Sequence, residues 1–187
     1  FDGDNILIES HSRPLCSIPS IVTGNQPIDG GNYLFKKDEM DAFVSSEPRS
    51  KSYFKMWYGS DEFINRRPRY CLWLGECTPS ELRQMPECYK RVQAVREYRL
   101  ASPRSGTNKL AATPTRFAFE NMPSGTYVVI PEVSSGKRKY VPMGFMTPDI
   151  LCSNLVKIVP NASMYHFGIV TVQSRTPSDP LRGPPPS

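Results

Sequence analysis

Short apolar runs broken by proline and glycine characterise the first part of the chain. Residues 6–8 and 15–18 are such runs, separated by Pro14, Pro19 and Gly24, and they predict short strands joined by turns. Asp29-Gly30-Gly31-Asn32 is a strong turn signal, because paired glycines permit positive φ and the flanking Asp and Asn can bond their own backbone. Residues 33–35 then predict a strand. Asp38 is placed to cap a short helix through Phe43 and Val44 that finishes before Pro48.

Residues 51–64 hold Tyr53, Phe54, Met56, Trp57, Tyr58 and Phe63, a dense aromatic group broken by Gly59. Aromatic residues dominate ordinary interiors, so the group reads as core packing before it reads as a stacking platform. Residues 66–69 are basic and lead into Tyr70-Cys71-Leu72-Trp73-Leu74, a buried strand with those cations at its exposed mouth. Thr78-Pro79-Ser80-Glu81 is a capping box with proline at the first helical position, and the longest helix is expected to start there. Leu82, Met85, Tyr89 and Val92 recur at helical spacing as a core-facing stripe, while Pro86 should kink or restart the helix. The same stripe continues to Arg96 and Arg99. Two readings of these arginines stand: snorkelling or ion pairing at the edge of the core, or contact with phosphates. Arg104 and Lys109 follow in a loop containing Ser, Gly and Asn, so the stretch 83–109 is basic on balance.

The second half changes character. Residues 126–131, 139–146, 155–159 and 165–172 are short runs rich in Val, Ile, Tyr and Phe, separated by loops, and they predict a largely antiparallel sheet. Ser134-Ser135-Gly136-Lys137-Arg138-Lys139 is a candidate hairpin tip between the first two runs. From residue 174 onward the chain is polar and Pro-rich, which predicts a disordered tail. The expected architecture is a single α+β domain over residues 1–173, with a mainly antiparallel sheet and a few helices, followed by the tail at 174–187.

A length of 187 residues with 39% hydrophobic residues suits one packed domain. No apolar run is long enough to span a bilayer and no secretory signal opens the chain, so a soluble, cytoplasmic protein with no membrane partner is expected. The formal charge of +5 favours an anionic partner. Cys16, Cys71, Cys77, Cys88 and Cys152 are odd in number and irregularly spaced, and His11 and His166 stand far from any cysteine pair. These are expected to be free thiols in a reducing compartment, with no metal site.

Catalytic signatures are missing. No Walker-type phosphate loop, G-x-G-x-x-G, H-E-x-x-H or G-x-S-x-G occurs, nor the Asn/Asp-Pro-Pro-Tyr loop and glycine-rich turn expected of an adenine methyltransferase that uses S-adenosylmethionine. A cysteine–histidine pair built on His166 has no local support, and a structural histidine on a strand is expected instead. Binding chemistry remains. The 134–139 loop offers small residues for close backbone approach and three cations for phosphates or guanine edges, although such a tip is also ordinary soluble surface.

Longer stretches carry a resemblance. Thr78-Pro79-Ser80-Glu81-Leu82-Arg83, the run from Arg91 to Ser102, Thr113-Pro114-Thr115-Arg116-Phe117, Ile130-Pro131-Glu132-Val133-Ser134-Ser135, Lys137-Arg138-Lys139-Tyr140-Val141-Pro142-Met143-Gly144-Phe145, Pro160-Asn161-Ala162 and Tyr165-His166-Phe167-Gly168 follow one another in order. With Asp29-Gly30-Gly31-Asn32-Tyr33-Leu34 and Glu62-Phe63-Ile64-Asn65, this text resembles the target-recognition domain of MmeI-like restriction-modification methyltransferases. These are single chains that join an endonuclease, an N6-adenine methyltransferase and one shared recognition domain. The resemblance implies a module that contacts double-stranded DNA from the major-groove side and reads a short site for attached catalytic domains. It places base-reading residues around Arg116, in the loop Ser134, Ser135, Lys137, Arg138, Lys139 and Tyr140, and near Asn161, Tyr165 and His166. Arg96, Arg99, Arg104 and Lys109 complete the candidate DNA-contacting set.

Two departures qualify the match. In the family a further helix after Phe167-Gly168 returns toward the methyltransferase, whereas here Thr171-Val172-Gln173 gives way to the Pro-rich tail, so the text reads as cut. The catalytic domains are also absent, so no catalytic residue and no cofactor is expected in this chain, and S-adenosylmethionine belongs to the parent enzyme. The leading expectation is a DNA-specificity module partnered by the parent's methyltransferase domain. The alternative is a protein-interaction domain that docks onto a methyltransferase or specificity partner without reading bases.

Overall fold

The computed structural model describes residues 17–135, 138 and 140–173, without the side chains of Val172 and Gln173. The strands expected at 6–8 and 15–16, Lys137, Lys139 and the tail from 174 lie outside the described residues, and Ser17 and Ile18 are in no strand. In chain order the elements are β1 (Val22–Thr23), β2 (Leu34–Phe35), α1 (Lys37–Ser46), β3 (Phe54–Tyr58), α2 (Ser60–Asn65), β4 (Arg69–Leu72), α3 (Pro79–Arg83), α4 (Pro86–Leu100), α5 (Ser105–Lys109), β5 (Tyr127–Pro131), β6 (Gly144–Met146), β7 (Ile150–Cys152), β8 (Val156–Pro160) and α6 (Met164–Gln173).

The strands form two sheets where one was expected. The first has order β1-β8-β5-β6 and is antiparallel throughout; the second has order β2-β4-β3-β7, with one parallel pair between β3 and β7. The chain is thus α+β and mostly antiparallel. Strand alternation explains the layering. On β5, Tyr127 and Val129 join Val156, Ile158 and Cys152 against Tyr58 and Phe63, while Val128 and the half-buried Ile130 face the other way onto Val159, Ala162 and Phe167. This first sheet is covered on both faces, which is why its central strand β5 is apolar without interruption. The larger core lies on the second sheet, where Trp57, Leu72, Trp73 and Leu74 pack with Met85, Cys88, Val92 and Val95 of the helical side. The aromatic group at 51–64 therefore serves the interior: Trp57 is buried, and Phe54 meets Phe35 edge-on at 5.1 Å.

The 29–32 turn forms as its residues predict. Gly30 and Gly31 have φ of 63° and 84°, and the Asp29 carboxylate accepts the Tyr33 backbone N–H at 2.6 Å. Gly24 answers a different need, since a Cβ there would collide with the Ser153 carbonyl. Helix α1 begins two residues earlier than expected, with Lys36 rather than Asp38 at the cap, because Glu39 reaches back to accept the Lys36 N–H at 2.8 Å.

The capping box at Thr78 is present, but it starts only the five-residue α3. The longest helix is α4, which starts at Pro86. Proline has no N–H to continue the first helix and a fixed φ suited to starting the next. The buried face of α4 is Cys88, Val92, Val95 and Arg99, so Tyr89 lies outside the stripe and is exposed. Residues 165–172, expected as a strand, are helical: the β-prone composition is overridden by capping at Ser163 and by packing of Phe167 on Phe145, with ring centroids 5.4 Å apart. The run at 139–146 yields only β6, and β7 was not anticipated.

The start of α4 is closed from a distance. Glu47 is buried, and its two carboxylate oxygens accept the backbone N–H groups of Glu87 and Cys88 at 2.9 and 2.8 Å. These donors have no partner inside the helix, and a carboxylate there also complements the helix dipole. Among the described residues no helix is long and apolar enough to cross a membrane. Replacing Glu47 by Ala is expected to lower unfolding free energy by about 2–3 kcal/mol, measured as a shift of the denaturation midpoint; a loss below about 0.5 kcal/mol would contradict the role of this cap.

Candidate nucleic-acid interface

Arginine on a helical stripe can serve the core or face solvent, and burial decides between them. Arg99 is fully buried. Its Nε donates to the Ile28 carbonyl at 2.9 Å, Nη1 to Leu110 and Thr113 at 2.8 and 3.0 Å, and Nη2 to Pro27 and Arg116 at 2.8 Å each. Every N–H of the guanidinium thus meets a backbone carbonyl. Desolvation draws its pKa below the usual arginine value, against the opposing influence of Tyr33 and Asp29, and the group remains a cation. A phosphate cannot reach it. Arg99 is therefore removed from the DNA-contacting set.

Neighbouring candidates are arranged around this buried cation. Asn108 on α5 donates to the carbonyls of Arg99, Leu100 and Ser102, closing the end of α4. Arg104 caps α5 and Lys109 ends it, both exposed, and Arg96 is exposed on α4. Arg116 is half engaged: Nη2 pairs with Glu120 at 2.6 Å, Nη1 donates to the Gly75 carbonyl at 3.1 Å, and the guanidinium lies 5.6 Å from the Trp73 ring centroid. About half of its side chain stays open to solvent, with a relative exposure of 49%.

The other two groups belong to the first sheet. Pairing of Pro131 with Val156 and of Tyr127 with Pro160 puts the 132–143 connection at one end of the β5/β8 ladder and Asn161 at the other. A strand of this length separates the ends by about 13 Å. The first end also receives residues 119–121, because Asn121 N–H donates to the Asn25 side chain at 2.8 Å and Asn121 Nδ2 to the Thr23 carbonyl at 2.6 Å. The segment following Arg116 and the 132–143 connection therefore converge, whereas Asn161, Tyr165 and His166 stand apart from them along the ladder.

Within the connection, Ser135, Arg138 and Tyr140 are exposed. Ser134 is half-buried, with its hydroxyl oxygen shielded and without a hydrogen-bond partner among the described residues. At the opposite end Asn161 is exposed in the left-handed region at φ 56°, and Tyr165 is 72% exposed. His166 lies in the first turn of α6 rather than on a strand. Its Nδ1 accepts the Ser163 backbone N–H at 3.0 Å, which places the proton of the neutral ring on Nε2.

The target-recognition model called "MmeI, target recognition domain" matches residues 2–176. The chain belongs to the MmeI target recognition domain family. DNA methyltransferase A of Bacillus subtilis (strain 168) is 38% identical over 169 residues, which are 90% of this chain and 19% of that protein. A solved structure of the type IIL restriction-modification enzyme MmeI in complex with DNA superposes with a TM-score of 0.83 at 37% identity, covering 91% of this chain and 23% of that one. The chain therefore spans about a fifth of the length of these relatives. Within this target recognition domain burial disfavours the thiolate of the interior cysteines. Burial raises the pKa of Cys71, of Cys88 and, to about 11, of Cys152.

Substituting Arg99 by Met is expected to cost about 3 kcal/mol or more of stability, because buried carbonyls lose their donors. Lysine, with a compact ammonium in place of the planar fork, should not restore it. Denaturation midpoints of both variants check this, and midpoints equal to the parent's would return Arg99 to the surface set.

Proposed function

We propose that this chain is the sequence-reading module of a restriction-modification methyltransferase, which seats double-stranded DNA for catalytic domains elsewhere in the same polypeptide. The observation that carries this reading is the likeness over 91% of the chain to an enzyme solved in complex with DNA. In the proposed division of labour, cations position the module on phosphates and polar side chains read base edges in the major groove. The parent's methyltransferase domain is the second partner. It binds S-adenosylmethionine, flips an adenine from the stack and methylates its N6.

Arg138, with Ser135 and Tyr140, forms the proposed contact at one end of the first sheet, and Lys137 and Lys139 are assigned to it by their place in the sequence. Ser134 joins only by turning its hydroxyl outward. Asn161, Tyr165 and His166 form a second contact at the other end, where the outward Nε2–H of His166 can donate to a base acceptor. Arg96, Arg104 and Lys109 are assigned to phosphates, and the open half of Arg116 to DNA beside the first contact. The major groove of B-DNA is about 12 Å wide, close to the length of the β5/β8 ladder that separates the two contacts. That spacing suits a groove held at both margins.

Affinity of the full polypeptide for duplex DNA is expected to fall steeply with salt, and reversing charge at Arg138 together with Lys139 should weaken binding at least about tenfold. Fluorescence anisotropy on a labelled duplex reads both effects. Equal affinity of the double variant would remove the connection from the interface, and retention by the methyltransferase portion without any DNA affinity would favour a docking domain instead.

A further inference from the structure

The turn between α2 and β4 carries cations that the proposed reading of the DNA contact has not used. Arg66 and Arg67 are exposed, and Arg66 ends α2 in the left-handed region at φ 55°. The N–H groups of both residues return to the Glu62 carbonyl, and Pro68 follows, so the backbone here is tightly determined. The acids of this helix are already occupied. Glu62 accepts the Gly59 N–H at 2.8 Å and pairs with Arg69 at 2.6 Å, while Asp61 accepts from Asn65 at 2.8 Å. Among the described residues neither the Arg66 nor the Arg67 side chain has an acidic partner, in contrast to Lys37, Lys90, Arg116 and Lys157, each of which is paired with a carboxylate.

Placement gives these charges a use. The Ser60 hydroxyl donates to the Leu155 carbonyl, and that same carbonyl accepts the Glu132 N–H at 3.2 Å. Phe63 packs with Tyr127, Val129, Val156 and Ile158, and a Cβ at Gly144 would lie 3.2 Å from its ring. Glu132 and Gly144 bound the 132–143 connection, so α2 shares the Leu155 carbonyl with one root and meets the other through Phe63. Arg66 and Arg67 follow Phe63 by one helical turn. They lie just past the point where this helix meets Gly144, at which the connection re-enters the sheet.

We infer that Arg66 and Arg67 form a phosphate-binding turn that clamps the sugar–phosphate backbone of duplex DNA beside the 132–143 connection, a role that rests on the DNA-reading function proposed above. Guanidinium groups bind phosphate oxygens well, and phosphate contacts set orientation without carrying sequence information. The clamp therefore fixes where the connection lies along the groove while leaving the choice of bases to other residues.

The test uses the full polypeptide and a panel of labelled duplexes of different sequence, titrated between low and moderate salt. For R66Q/R67Q the expected result is a loss of affinity of about tenfold at low salt, alike for every duplex, with the slope of log affinity against log salt shallower by about 2. R66K/R67K should recover most of the affinity, since an ammonium still neutralises a phosphate. Thermal midpoints of both variants should match the parent's because both side chains are exposed. Unchanged affinity and slope in R66Q/R67Q, while the parent binds, overturns the clamp and leaves the proposed function standing. A loss confined to one sequence, or one that lysine does not recover, also overturns it. Absence of any duplex binding by the parent polypeptide overturns both.

Discussion

A buried guanidinium, surrounded by backbone carbonyls, ties α4 to the 27–28 turn, to the segment 110–113 and to Arg116. These segments carry little regular structure of their own, so their polar backbone groups need partners that no ladder supplies. Arg99 supplies five donors from a rigid plane, and Tyr33 adds one more bond, from its hydroxyl to the Pro114 carbonyl at 2.7 Å. Removing the cation would take from the Pro27, Ile28 and Arg116 carbonyls the donor it supplies, while those of Leu110 and Thr113 keep the N–H groups of Thr113 and Arg116. The course of the chain from α5 to Phe117 depends on this one side chain.

The same constraint separates cations that build the frame from cations offered to a partner. Arg99 belongs wholly to the frame, Arg116 belongs to it in part, and Arg69 is held by Glu62. Of what is left over, Arg66, Arg67 and Arg138 sit on turns and connections, while Arg96 and Lys109 lie on helices. Asn25 adds to this by joining Asn121 to the Cys152 carbonyl, so the segment after Arg116 reaches the end of the first sheet where the 132–143 connection begins. Segments far apart in the sequence thereby share one end of a sheet.

Local chemistry was legible where a single residue type has few alternatives. Gly30 and Gly31, the Thr78 box and the run at 127–131 each declared their structure, because positive φ, capping and a doubly buried strand leave narrow signatures. Long-range ties were not. Nothing near Glu47 in sequence shows that its carboxylate caps a helix some forty residues on. Arg99 followed Val92 and Val95 at helical spacing, which marks a core position, yet its charge argued for the surface until the carbonyls around it were known. The helix at 164–173 was missed because its Val, Ile, Tyr and Phe content favours strands, and only the contacts of Phe167 and His166 reverse that preference. Of the candidate site, the connection at 132–143 was readable as a basic tip, whereas its separation from Asn161 and His166 is a property of the β5/β8 register.

Arginine-selective chemical modification, read residue by residue with and without duplex DNA, addresses the central claim most directly. The account predicts that duplex DNA lowers the modification of Arg138, while Arg99 is unreactive in both states. Equal modification of Arg138 in the two states, or reaction of Arg99 in the folded protein, would contradict it.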